Sequence, residues 1–187
     1  MLRNSVSRKN LAFICVTLLF IAAMTAVLGP KGALADEGVS LKGNFAVTFT
    51  IVQSASNCGT GDNCIACLAD NHFYIEAQGV GDTAKQGSLF FEVQKCFDPA
   101  ASSFGSYKGI FTMTAPNGKD SLTGTYTGKN TNGGDAYGFG NFSGDLKITD
   151  GTGKFCDAHG HAHFTAIGNA GHNAAYYAVE GTVSSRD

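Results

Sequence analysis

The stretch 41–52, LKGNFAVTFTIV, alternates apolar with polar side chains and thereby indicates which structure the chain forms. Side chains two residues apart point to the same face of a β-strand. The apolar side chains that share one face in this way are Leu41, Phe45, Val47, Phe49 and Ile51. The pattern therefore predicts a strand with one face buried in a core and the other face in water.

The same alternation recurs in seven further segments, which turn-forming residues separate from one another. These segments are 71–79, 88–97, 106–114, 121–127, 138–149, 154–166 and 174–183. No stretch after residue 35 shows the 3.6-residue apolar period of an amphipathic helix. Eight strands with mostly short links predict an all-β fold, an eight-stranded antiparallel up-and-down β-barrel that leaves no sheet edge unpaired. A β-sandwich is the alternative.

Glycine recurs inside these segments, although it normally weakens a strand. The glycines within the predicted strands are Gly109, Gly124, Gly144, Gly160 and Gly181. Their recurrence predicts places where the sheet bends tightly or packs closely, as closure of a small barrel requires.

Residues 1–35 have the features of a secretory signal peptide. A positively charged start precedes an uncharged apolar run at 11–28, and a Gly-Pro break and the A-x-A box at 33–35 follow it. This order predicts cleavage after Ala35, which would leave residues 36–187 as one β-barrel domain of 152 residues. Because the apolar run is long for a signal core, retention as an uncleaved membrane anchor is the alternative.

The charge balance of the predicted domain limits its partners. Removal of residues 1–35 would take away four of the thirteen basic residues and none of the fifteen acidic ones, leaving a net charge of about −6. An acidic chain with no basic stripe and no second apolar span argues against nucleic acid and, after cleavage, against a membrane as partner. The sequence therefore predicts a soluble domain that is secreted or periplasmic.

The predicted domain contains five cysteines, which are Cys58, Cys64, Cys67, Cys96 and Cys156. In an oxidising compartment such a count indicates disulfides, and an odd count leaves at least one thiol over. We expect Cys58–Cys64 to close a small, crosslink-ordered loop and Cys67 to reach either Cys96 or Cys156. The alternative is a redox-active C-x-x-C motif at Cys64 and Cys67, which would need a helix N-terminus to lower the pKa of the first thiol.

Three phrases in the second half of the chain combine turn and strand residues. They are GSYKGIFTMTAPNGKDSLTGTYTG, FGNFSGDLKITDGTGKFCDAHGHAHFTA and YYAVEGTV, which together cover most of 106–183. In these phrases the chain resembles bacterial members of the allene oxide cyclase-like barrel family. The resemblance implies a calycin-like eight-stranded barrel. Plant members close an unstable fatty-acid epoxide inside an apolar barrel, whereas many bacterial members have no assigned activity, and the resemblance identifies no catalytic residue.

Three histidines stand at every second position of the segment 156–164, CDAHGHAHF, and so share one face of a strand. Imidazole binds zinc, copper or nickel, and the next turn could add a ligand, so His159, His161, His163 and His172 are candidate metal ligands. Strand side chains four residues apart lie about 13 Å apart, too far for His159 and His163 to bind one ion. We therefore expect a solvated or subunit-facing histidine row and no metal, with pH sensing as a further option.

Aromatic side chains dominate the predicted inner face of the barrel. These candidates for ligand binding are Phe45, Phe49, Phe73, Phe91, Phe111, Tyr126, Phe142, Phe164 and Tyr177. They either fill the interior solidly or line a cavity for one small apolar ligand. The carboxylates Glu76 and Glu92 fall on the water-facing side of their strands, so the catalytic residues of any enzyme stay unknown.

The sequence favours no single activity. Because no nucleotide-binding, zinc-protease or nucleophile-elbow motif is present, we expect no cofactor. The leading hypothesis is an exported barrel protein that binds a hydrophobic small molecule in its interior or acts through its surface. A cofactor-free cyclase or isomerase is the first alternative, and a structural envelope protein that forms homo-oligomers is the second. An open cavity with a carboxylate or tyrosine hydroxyl would favour the enzyme, and one without titratable groups the binding protein.

Overall fold

The alternating segments form a closed β-barrel. The computed structural model describes residues 38–58, 62–101, 105–133 and 139–184. Within them each strand pairs antiparallel with the next along the chain, and the last strand pairs with the first. The strands are β1 (Val39–Val52), β2 (Phe73–Thr83), β3 (Gly87–Asp98), β4 (Ser106–Thr114), β5 (Ser121–Asn130), β6 (Phe139–Thr152), β7 (His159–Asn169) and β8 (Ala174–Ser184). The prediction of an eight-stranded barrel is confirmed, and the sandwich alternative is wrong.

The predicted signal peptide at 1–35, its cleavage after Ala35 and the membrane-anchor alternative lie outside the described residues. In the part of the chain that is described, no helix combines the length and the apolar character needed to cross a membrane. The domain boundary at residue 36 therefore stays a prediction.

One short α-helix, α1 (Asp62–Ala69), lies between β1 and β2 in the described residues. The sequence predicted a loop here, and that prediction is wrong. Eight residues give about two turns, too few for an apolar period to stand out, and an isolated helix of this length is unstable in water. Its buried side chains are Cys64 and Cys67, which are bonded to Cys58 in the segment after β1 and to Cys96 of β3, so two crosslinks hold the helix in place. Single 3₁₀ turns follow β1, β6 and β7, at Ala55–Asn57, Gly153–Phe155 and Ala170–His172.

Strand β7 begins later than the alternation suggested, at His159 instead of near residue 154. The preceding residues form a 3₁₀ turn, and Asp157 has a φ of 57°, a left-handed conformation that strand residues do not adopt. The turn buries Phe155 in the core. A buried apolar side chain in a turn gives the same local pattern as one in a strand. The alternation therefore predicts the start of β7 too early.

The barrel interior is packed from the end where β1, β3 and β5 begin to its middle. The large side chains that are almost fully buried there include Leu41, Phe45, Leu89, Phe91, Met113, Leu122 and Ile148. The rings of Phe45 and Phe91 have centroids 5.2 Å apart, and Tyr126 stacks on Phe164 at 4.8 Å. Burial of each such side chain contributes about 1.5–3 kcal/mol, so this packed part makes a large contribution to the stability of the barrel.

The strand glycines stand where neighbouring strands approach closely, as predicted. At each of the five positions, a Cβ would overlap a backbone carbonyl oxygen of the adjacent strand. At Gly124 the oxygen belongs to Lys147 of β6, and at Gly144 it belongs to Thr127 of β5. Both glycines belong to the β5–β6 strand pair, in which Gly124 is opposite Ile148 and Gly144 is opposite Gly128, and the register of this pair shifts between Thr123 and Gly124. The wall can therefore bend here only because neither residue carries a side chain.

We expect Gly124→Ala to destabilise the barrel by about 1–3 kcal/mol, because the added methyl group meets backbone atoms that cannot rotate away. Gly140→Ala is the matched control, since the nearest atom to its added methyl group would be a ring carbon of Phe142 at 3.4 Å. Urea unfolding of both variants gives the two free energies. A loss at Gly124 no larger than the loss at Gly140 would show that close strand approach is not the constraint.

Candidate functional site

A cavity opens the barrel at the end where β1, β3 and β5 finish. Its volume is about 670 Å³, within the range of about 300–1,000 Å³ that small-molecule sites occupy. Its wall is mostly apolar and includes Phe49, Ile51, Phe73, Ile75, Phe97, Phe142 and Ala175. The polar side chains among its described lining residues are Gln53, Lys95, Tyr107, Asn130, Asn132 and Tyr177. The interior is thus filled over one part and hollow over the other.

The nine aromatic residues that the sequence placed on the inner face all lie inside the wall. Phe45, Phe91, Phe111, Tyr126 and Phe164 are buried in the packed part. Phe49, Phe73, Phe142 and Tyr177 line the cavity. The structure therefore divides the candidates into a packed group and a cavity group, and ligand binding by the cavity group stays a prediction.

Lys95 is a candidate functional residue that the sequence analysis missed. Its side chain lies at the inner end of the cavity and is only 6% exposed. The ammonium group donates a hydrogen bond to the Tyr177 hydroxyl at 3.2 Å and lies 4.4 Å from the centre of the Tyr107 ring. Such contacts with ring faces stabilise a cation. No carboxylate in the described residues lies within ion-pair distance of this ammonium group.

A signal for Lys95 was present in the sequence. It stands at the same alternate positions of β3 as Leu89, Phe91 and Val93, all of which point inward. A lysine on an apolar strand face either turns its end to water or is buried for a reason. Tyr107 could have been found in the same way, since it shares the inner face of β4 with Phe111.

The tyrosines around Lys95 are shielded from water. Tyr107 donates a short hydrogen bond of 2.6 Å to the side-chain oxygen of Asn130. Burial, and next the neighbouring Tyr177 hydroxyl, raise the pKa of Tyr107 well above its usual value. Burial, followed by the same neighbour, also raises the pKa of Tyr126. The buried Tyr126 hydroxyl has no hydrogen-bond partner of good geometry among the described residues. These phenols therefore stay neutral over the ordinary pH range.

The histidine row lies on the outer face of β7, as the alternation predicted. The side chains of His159, His161 and His163 are exposed, and so is His172 in the turn before β8. The ring nitrogens of His161 and His163 lie 3.7 and 3.2 Å from the Asp145 carboxylate of β6. These contacts tie the row to the neighbouring strand on the solvated face.

A different group of possible metal-ligating atoms lies close together in the described residues. It consists of Cys67, His72 and Cys96, whose atoms are all within 4.8 Å of one another. The two sulfurs are bonded to each other, so they are not metal ligands in this state. His72 lies between them and a carboxylate: its Nδ1 is 3.5 Å from Cys96 Sγ, and its Nε2 is 3.5 Å from Asp98 Oδ2.

The structure contains the disulfides Cys58–Cys64 and Cys67–Cys96, which resolves the two pairings left open for Cys67. Cys156 is disulfide-bonded as well, and no described cysteine is free. No leftover thiol is thus present among the described cysteines, whereas the expectation of one concerned the chain cleaved after Ala35 and stays a prediction. Cys64 and Cys67 do lie on a helix, but each is bonded to a different partner outside it. The crosslinks are consistent with an oxidising compartment.

Apolar side chains also form a row across the outer wall. In register across β7, β8, β1, β2 and β3, its members are Ile167, Tyr176, Ala46, Val80 and Phe90. All of them are exposed. An action through this surface, or self-association into a homo-oligomer, stays a prediction.

Comparison with known proteins leaves the family of this chain open. No protein-family model and no curated protein matches it. Among solved structures, it is similar to the pterocarpan synthase dirigent protein GePTS1, with 12% sequence identity and a TM-score of 0.48, over 89% of this chain and 100% of that chain. A likeness this weak carries no inference about chemistry. The barrel is established by the strand pairing, and the resemblance to the allene oxide cyclase-like family stays a hypothesis.

We expect the stability of the barrel to fall as the pH rises above about 10, where a tyrosine in the unfolded chain ionises. Since burial raises the pKa of Tyr126, the folded protein keeps a proton there that the unfolded chain releases, so alkali favours unfolding. Tyr126→Phe should weaken this decline and change little at pH 7, because the hydroxyl that is removed makes no good hydrogen bond.

The free energy of unfolding in urea, measured between pH 8 and pH 11, checks this expectation. Tyr176→Phe is the control, since it removes a hydroxyl from an exposed side chain that lies outside the packed interior. Equal alkaline slopes for Tyr126→Phe and the wild type would contradict the assignment.

Proposed function

We propose that the barrel binds one small, mostly apolar molecule in the cavity at its open end. The single observation that carries this proposal is the cavity itself, about 670 Å³ with an apolar wall and a few polar side chains at its inner end. This combination of apolar surface and a few convergent polar groups is typical of ligand sites. Binding is also the step that a barrel enzyme would need first, so it is common to both interior hypotheses.

We further propose that the protein works outside the cytoplasm as an exported member of the allene oxide cyclase-like barrel family. The charged and apolar pattern of residues 1–35, with its A-x-A box, supports export. The disulfides support an oxidising compartment. The turn-and-strand phrases at 105–128 and 139–166 support the family.

A cofactor-free isomerase or cyclase is the second candidate, and the contact between Lys95 and Tyr177 favours it. The Tyr177 hydroxyl accepts a hydrogen bond from the ammonium group and keeps its own proton. Since the ammonium group occupies a lone pair of that oxygen and not its hydrogen, the hydroxyl can direct its O–H toward a bound ligand and so is placed to donate a proton. The cavity also holds tyrosine hydroxyls, which is the feature expected above to favour the enzyme, while no carboxylate is among its described lining residues.

Binding is tested with N-phenyl-1-naphthylamine, a neutral apolar dye whose fluorescence rises in apolar surroundings. We expect one dye per barrel, and we expect Ala175→Phe to weaken binding at least tenfold because the added ring fills the cavity. Ala178→Phe is the control, since this residue of β8 faces outward. Absence of binding to the wild type, or equal binding by both variants, would contradict the proposal.

Catalysis is tested on the molecules that co-purify with the protein from the secreted or periplasmic fraction. If the barrel is an isomerase, such a molecule re-added to the wild type should give a product of equal mass that chromatography separates. Tyr177→Phe should keep dye binding and lose this conversion, because only the proton donor is removed. Recovery of the ligand unchanged after incubation with the wild type would contradict the isomerase and support binding without catalysis.

A further inference from the structure

We infer that Lys95 is the anion subsite of this cavity and that the ligand carries a carboxylate, which enters first and contacts the Lys95 ammonium group at the inner end. This inference rests on the proposed function, because it assigns the head group of the molecule bound there. A cation is almost fully buried, and the described residues provide no carboxylate within ion-pair distance.

Burial of a charge is costly unless an opposite charge or hydrogen bonds compensate for the lost water. An ammonium group has three N–H donors, and Tyr177 accepts from one of them. The rings of Tyr107 and Tyr126, with centroids at 4.4 and 5.1 Å, supply electrostatic stabilisation but accept no strong hydrogen bond. The protein therefore compensates only part of the cost of burying the Lys95 charge, and a bound anion would compensate the rest.

The charge of the lining residues indicates which anion fits. Lys95 is the one ionised side chain among the described residues that line the cavity. A single positive charge matches a singly charged carboxylate better than a doubly charged phosphate. The carboxylate has two oxygens, so one can accept from the Lys95 ammonium group and the other from the Tyr177 hydroxyl, which lie 3.2 Å apart.

The wall above Lys95 indicates what the rest of the ligand is like. Phe73 and Phe97 stack with centroids 6.2 Å apart, Phe97 meets Tyr107 at 4.8 Å, and Tyr107 meets Phe142 at 5.8 Å. These rings form a connected arc that lines the cavity. Aromatic rings pack well against one another in offset and edge-on arrangements. The geometry therefore favours an aromatic carboxylate that leads with its charged end.

Three probes that share one ring system test the head group, namely 2-naphthoate, 2-naphthylmethanol and 2-naphthylmethylammonium. Isothermal titration calorimetry at pH 7 measures their dissociation constants. We expect the wild type to bind 2-naphthoate at least tenfold more tightly than the alcohol and to bind the ammonium probe more weakly than either. Lys95→Met keeps a long apolar side chain and should lose the preference for the carboxylate while it still binds the alcohol.

Lys108→Met is the matched control, since Lys108 lies on the outer face of β4 and should leave all three constants unchanged. Equal binding of 2-naphthoate and the alcohol by the wild type would overturn the anion subsite and leave the proposed binding function standing. Failure of the wild type to bind any of the three probes or the neutral dye would overturn both. The comparison of probes on the wild type decides the matter even if Lys95→Met fails to fold.

Discussion

The structure depends on the close approach of neighbouring backbones at glycines inside the strands. At Gly124 and Gly144 even one methyl group would overlap a carbonyl oxygen across the strand pair. Side chains on both faces would force the strands apart or flatten the sheet, whereas their absence lets the wall coil tightly enough to close with eight strands. Closure at this strand number leaves an interior only wide enough for side chains or one small ligand. By permitting this closure, the glycines limit the interior volume that is available to the inward side chains.

How that volume is used follows from the size of the inward side chains. Where β1, β3 and β5 begin, phenylalanine, leucine and methionine fill it. Where these strands end, alanine and glycine at Gly140, Gly168 and Ala175 leave the wall bare between larger rings. The cavity is therefore a consequence of small residues on β6, β7 and β8 that face aromatic residues on β1, β3 and β4. A buried lysine is tolerated at the boundary because tyrosine rings and a hydroxyl surround its charge.

Much of this architecture could be predicted from the sequence, because alternation, strand glycines and cysteine positions are local signals. The inward position of all nine aromatic candidates followed from the alternation alone. The α1 helix could not be predicted from the sequence, since its stability comes from crosslinks between residues distant in sequence, such as Cys67 and Cys96. The cavity could not be predicted either, because an empty volume depends on the combined size of inward side chains from several strands. Lys95 was missed for a different reason: the alternation assigns it to the inner face of β3, but a lysine there usually turns its ammonium group to water and so gives no sign of burial.

The crosslink and the buried charge occupy adjacent residues of β3, and this connects the helix to the cavity. Lys95 points inward, whereas Cys96 points outward and is bonded to Cys67 of α1. On the outer wall, Val52 and Tyr74 are buried together with the half-cystines of the helix, so β1, β2 and β3 are covered there as one unit. A backbone anchored on its outer side at Cys96 restricts how far the adjacent Cα of Lys95 can move. Preorganised positions lower the entropy lost on binding. The disulfide that stabilises a two-turn helix therefore also fixes the point from which the ammonium group reaches into the cavity.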